Sequence, residues 1–168
     1  MTIAIAAIVA TIGIPSFRYV TNSNRIAGEV NGLLGDLQFA RAEAIKEGED
    51  VTVCVSSTGT SCDGTATWQS GWIVYSNAAN STVPATGSVL RIQSPFTGTD
   101  TFVASPTASA VTFNREGYAV GLANGGSMIQ LHDATNTTVW TRCLSVNFNG
   151  MTQTFMYNQT SLAGVTCT

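Results

Sequence analysis

Residues 1–17 read MTIAIAAIVATIGIPSF, and the first charge of the chain is Arg18. A secretory signal peptide places basic residues before its apolar core and a small-residue cleavage site after it. Here nothing basic precedes the run. A free-standing transmembrane helix needs about 20 apolar residues, and residues 1–17 fall just short. The stretch is therefore expected to be a spanning helix with its start missing, with Ile3, Ile5, Ile8, Val9, Ile12, Ile14, Pro15 and Phe17 facing lipid or like helices. Pro15 removes one helical hydrogen bond and is expected to loosen the helix locally rather than end it.

Past Phe17 the same helix becomes amphipathic. Ile26, Val30, Leu33, Leu37 and Ala44 recur at spacings of three, four and seven, the stripe of a helix laid on a core. Leu34 and Ile45 widen it. The opposite face carries Arg25, Glu29, Asp36, Arg41, Glu43 and Lys46, and no site is read there. Gly48 is the natural terminator. Residues 1–47 thus form one helix of about 70 Å at 1.5 Å per residue. Residues 1–17 are its membrane or filament-core half, and residues 18–47 are its amphipathic half.

From Val51 the period changes from helical to alternating. Val51, Val53 and Val55 alternate with Thr52 and Cys54, which predicts a half-buried strand. Further strands are expected over residues 71–75, 89–94, 111–113, 128–132, 139–146 and 154–157, separated by Gly, Asn, Ser and Pro clusters. Residues 76–87 and 96–110 are read as loops. One long helix followed by strands alone predicts an α+β fold, the helix packed on an antiparallel β-sheet head at residues 48–168. Trp72 is read as core, and His132 as exposed or loosely paired.

Only 10% of the 168 residues are charged, against about 25% in an ordinary soluble domain. Ser, Thr, Asn and Gly fill the difference, as in extracytoplasmic β proteins. The cysteines are Cys54, Cys62, Cys143 and Cys167. No C-x-x-C spacing occurs and the single histidine is His132, which argues against a metal site. Two disulfides are expected, and four cysteines allow three pairings. The favoured one closes a short loop with Cys54–Cys62 and pins the C-terminal tail with Cys143–Cys167. The head offers one His, no Lys and scattered carboxylates, so no convergent catalytic set is read and no cofactor is implied.

Four stretches together resemble the FimT/GspH group of type IV minor pilins and pseudopilins. The apolar start with Pro15-Ser16-Phe17 is similar to the pilin hydrophobic segment. Leu37-Gln38-Phe39-Ala40-Arg41-Ala42-Glu43-Ala44-Ile45 resembles the run that ends this family's long helix, and Trp68 to Tyr75 resembles the segment that follows. Val111 to Gly117 and Arg142 to Gly150 resemble two later turns, with a cysteine near the C-terminus. The resemblance implies a type IV pilin-like fold and a scarce, non-catalytic structural subunit that primes a pilus or sits at its tip. It implies other minor pilins or pseudopilins, a major pilin and an inner-membrane assembly platform as partners. The expected location is a single-pass inner-membrane protein with a periplasmic head, later carried to the pilus or cell surface, in a Gram-negative bacterium. The first alternative is a pseudopilin of type II secretion, and the second is a DNA-binding pilin for natural transformation.

The resemblance also implies a basic leader and a Phe-Thr-Leu-Ile-Glu start, both upstream of the sequence here. DNA-receptor pilins of this group carry a Gly-Arg-x-Arg run, and the matching positions are Gly150-Met151-Thr152-Gln153. Beyond Gly48 the bases are Arg91, Arg115 and Arg142, against Glu49, Asp50, Asp63, Asp100, Glu116 and Asp133. Phosphate contacts come chiefly from Lys and Arg, so DNA binding is not expected.

Overall fold

The computed structural model describes residues 2–77, 88–105, 108–122, 126–161 and 164–168, with side chains from Phe17 onward except those of Asn77 and Ser105. One helix, α1, runs from Thr2 to Glu47 without a break at Pro15. It ends where Gly48 adopts φ +72° and its N–H bonds the Ala44 carbonyl at 3.0 Å. That left-handed cap carries no Cβ penalty. The chain turns directly into β1 (Asp50–Val55).

Among the described residues, nine strands follow in two antiparallel sheets. The first has the order β3 (Val89–Gln93), β2 (Trp72–Asn77), β1, β5 (Ala110–Phe113), β6 (Ala119–Val120). The second has the order β4 (Thr101–Ser105), β7 (Gly126–His132), β8 (Arg142–Asn147), β9 (Thr152–Met156). Register sets the faces: Val53 lies opposite Val74 on one side and Val111 on the other, and Ile129 lies opposite Leu144.

The helix covers both sheets, not one. Ile26, Val30, Leu33, Leu37, Ala40 and Ala44 are buried in one cluster with Val51, Val53, Val55, Trp72, Val74, Val111 and Phe113 of the first sheet. Phe102, Ile129, Leu131, Leu144 and Val146 of the second sheet complete that cluster. α1 is therefore the common wall of a two-sheet head. Trp68, Trp72, Phe96 and Phe102 fill its middle, with ring centroids 5.9–6.4 Å apart.

Each sheet also has an outer cluster built round a disulfide. Cys54 bonds Cys62 and packs with Ile73 and Tyr75 behind the first sheet. Cys143 bonds Cys167 and packs with Met128 behind the second. These outer faces bury little apolar surface, so a covalent tie holds the covering segment where packing alone is thin.

Three differences from the sequence reading have simple causes. β4 lies inside the expected loop 96–110: only Phe102 and Ala104 point into the core, and pairing with β7 makes it a strand. β6 is two residues long and leaves no periodic trace. The strand expected from Val139 begins at Arg142, because residues 138–140 form a turn in which the Trp140 N–H bonds the Thr137 carbonyl at 3.0 Å.

Candidate functional site

The polar side chains of α1 gather at the seam where the helix meets its head. The face opposite the apolar stripe is not simply solvated. Asp36 accepts from the Trp72 indole Nε1 at 2.8 Å and from Arg91 Nη1 at 3.0 Å. The Arg91 guanidinium also lies 3.8 Å above the Phe39 ring, a cation–π contact. One carboxylate thus clamps the helix to β2 and β3.

Arg41 does the same at the other edge. Its Nη2 donates to the Asn149 carbonyl at 3.3 Å. Two Asn-x-x-Gly turns converge on it. Gly117 (φ +80°) closes on Asn114, and Gly150 (φ +75°) closes on Asn147. A Cβ on Gly150 would lie 2.0 Å from the Gly117 carbonyl oxygen and 2.9 Å from Arg41 Nε. The Ala119 N–H bonds the Phe148 carbonyl at 2.9 Å. The turn after β5 and the turn after β8 therefore touch, joining the two sheets under the Arg41 guanidinium. Sequence reasoning left this role unread; the paired Asn-x-x-Gly turns were the available signal.

A third polar contact ties α1 to the segment before β4. Arg25 Nη2 donates to Asp100 Oδ1 at 2.9 Å, and the Asp100 side chain is fully enclosed. Glu29 lies one helical turn on. Its Oε2 and Asp100 Oδ2 are both buried without a hydrogen-bond partner among the described residues. Burial, reinforced by the neighbouring Asp100 carboxylate, pushes the Glu29 carboxyl up to about 7, against a smaller opposing effect of Arg25.

The remaining candidates are placed as follows. Ile26, Val30, Leu33, Leu37 and Ala44 are all buried under the sheets. Ile3, Ile5, Ile8, Val9, Ile12, Ile14 and Pro15 have side chains outside the described residues; their backbone is helical. Phe17 is 74% exposed. Among the described residues no helix is long and apolar enough to cross a membrane. His132 is half-buried, with Nδ1 3.3 Å from Thr141 Oγ1, and burial holds its pKa below the usual value. No group of three or more His, Cys, Asp or Glu that could hold a metal occurs among the described residues.

The head's arginines are all engaged. Arg91 pairs with Asp36, Arg115 with Glu116 at 2.9 Å, and Arg142 donates to the carbonyls of Val139 and Thr141. Each therefore has a partner within the protein. Apolar side chains stand out instead. Ile45, Tyr118, Phe148 and Met151 are exposed round the Arg41 seam, Leu90 and Ile92 on edge strand β3, and Met156 and Tyr157 at the end of edge strand β9.

This arrangement matches known folds. The crystal structure of the Pseudomonas aeruginosa type IV minor pilin FimU in space group P21 aligns with TM-score 0.63 and 21% identity, over 80% of this chain and 90% of that one. The same protein in space group P65 aligns with TM-score 0.57 and 22% identity, over 79% and 91%. At such identity the likeness is one of fold. No curated protein sequence matches the chain. The model of a family described as type II transport protein GspH matches residues 29–150, from the middle of α1 to the Gly150 turn beneath Arg41, and the chain belongs to that family.

Proposed function

We propose that this protein is a non-catalytic structural subunit of a type IV pilus, a minor pilin that primes assembly or sits at the tip. One observation carries the reading: a single helix, Thr2–Glu47, packs its second part against two sheets, while the first 17 residues of the chain carry no charged side chain. An apolar helix leaves a bilayer only if other apolar surface replaces the lipid. Packing like helices side by side restores that burial at about 25 cal/mol per Å². The product is a filament core with the heads outside in water. Residues 1–17 supply the membrane and filament contact, and the partners are other minor pilins, a major pilin and the inner-membrane platform.

The family match favours a second reading, a pseudopilin of type II secretion, since that system gives the family its description. Deleting the gene separates the two. Loss of surface pili and twitching supports the pilus; retained pili with loss of exoprotein release supports the secretion system. Retention of both functions overturns both readings.

A further inference from the structure

The chain crosses from the first sheet to the second through residues 94–100, between β3 and β4. Gln69 holds both sides of that crossover. The Phe96 N–H bonds the Gln69 carbonyl at 3.0 Å, and the Phe102 N–H bonds Gln69 Oε1 at 2.9 Å. α1 meets the crossover at Arg25. A Cβ added at Gly98 would lie 3.6 Å from Arg25 Nη1, and Arg25 Nη2 donates to Asp100 Oδ1 at 2.9 Å. That bond fills one oxygen of Asp100 and leaves Oδ2 enclosed without a partner among the described residues. Glu29 stands one helical turn beyond Arg25, and its Oε2 is enclosed and unpartnered in the same way.

Two buried carboxylate oxygens left unsatisfied are costly. As ions they cannot satisfy each other, because an ionised carboxylate only accepts. One proton resolves both. The Glu29 and Asp100 side chains are within hydrogen-bonding reach of each other. A protonated Glu29 therefore donates to Asp100 Oδ2 while Arg25 holds Oδ1. The charged groups on the elements packed round this part of α1 are Arg25, Asp100, His132 and Asp133 at the end of β7, and Arg142 on β8. Of these, Asp100 and Arg25 act on Glu29, and Asp100 acts more strongly. Burial and that carboxylate together let Glu29 keep its proton up to about pH 7.

We propose that Glu29 and Asp100 form a proton-binding site, and that the one proton they share latches α1 to the crossover between the two sheets. With the proton bound, Arg25, Asp100 and Glu29 are neutral in sum. Without it they carry one uncompensated negative charge in an enclosed place, and opening the crossover relieves it by letting water reach Glu29. The sign follows from linkage. The closed state holds the proton up to about pH 7 and the open state only to the ordinary 4.5. Opening therefore gains population as pH rises between those values and levels off above 7, by at most about tenfold per pH unit. Partial exposure of Glu29 makes that figure a ceiling.

Hydrogen exchange of the Phe96 and Phe102 amides tests the latch, with the full-length protein in detergent micelles. Their protection, corrected for the intrinsic pH dependence of exchange, should be lower than that of the β1 amides, which marks a local opening. It should fall from pH 4.5 to 7 and stay level above. Glu29→Gln keeps a donor toward Asp100 and cannot titrate, so its protection should be flat and high. Asp100→Asn removes the second carboxylate, so the fall should disappear there as well. Carbon-13 NMR of the Glu29 carboxyl gives an independent reading: its titration midpoint should drop to the ordinary carboxylate range in Asp100→Asn. Flat protection in the parent, a fall that persists in Glu29→Gln, or crossover amides as protected as those of β1 overturns the latch. A Glu29 midpoint unmoved in Asp100→Asn overturns the shared proton. A midpoint that shifts when calcium replaces EDTA would give the two carboxylates to a metal ion and also overturn the proposal.

Discussion

At the residue scale the Arg41 seam makes the sharpest demand. Gly150 and Gly64 share a left-handed backbone, φ +75° and +72°, but a Cβ at Gly64 meets nothing within 4 Å. Gly64→Ala therefore carries the conformational cost alone, about 1–2 kcal/mol. Gly150→Ala adds the collision with the Gly117 carbonyl, about 1–3 kcal/mol further. Urea unfolding of the two variants side by side measures the difference; equal losses would remove the close approach of the turns. Glu29 makes a second demand, and its sign follows from linkage. Its folded pKa, about 7, is raised above the ordinary 4.5. The folded state holds the extra proton between those values, so this group's contribution is fully present below pH 4.5 and is lost as pH rises through 7. Half-exposed as Glu29 is, screening limits the change to about 1 kcal/mol. Stability measured from pH 4.5 to 8 should fall less steeply in Glu29→Gln than in the parent.

At the element scale the helix is held by its stripe. Leu37 is fully buried between the sheets, and Ile45 is 54% exposed. Leu37→Ala should cost about 2–5 kcal/mol, and Ile45→Ala less than about 1 kcal/mol, both read from denaturant midpoints. The disulfides act on the outer faces. Cys143–Cys167 spans 24 residues and Cys54–Cys62 spans 8. Loop-closure entropy assigns them about 3.5 and 2.6 kcal/mol. The double variant Cys143→Ser/Cys167→Ser should therefore lower the melting temperature more than Cys54→Ser/Cys62→Ser. The reverse order would show that the short loop carries more of the packing than its length suggests.

At the scale of the whole molecule, the proposed stalk and the head can be tested apart. A chain shortened to residues 18–168 keeps the whole buried cluster. It should retain the near-ultraviolet circular dichroism of its packed aromatics, stay monomeric and no longer float with vesicles, whereas the full chain should float. A shortened chain that still floats would move the membrane contact into the head. With Arg91, Arg115 and Arg142 engaged within the protein, the head should cause no band shift of double-stranded DNA even at low salt. A shift that titrates away with salt would overturn that expectation.

The sequence alone determined the long helix, the switch to strands after Gly48 and the core stripe. All of these are periodic signals, and a period is a local property of the chain. Only the tertiary structure decided that two sheets share one helix wall, because pairing partners such as Val53 with both Val74 and Val111 are remote in sequence. It alone turned residues 101–105 into a strand, since two inward residues make no readable pattern until β7 lies beside them. It alone showed Arg25, Asp36 and Arg41 as ties between helix and head. On a helical wheel a charge facing water and a charge reaching for a distant carbonyl occupy the same face, and only the position of the carbonyl distinguishes them.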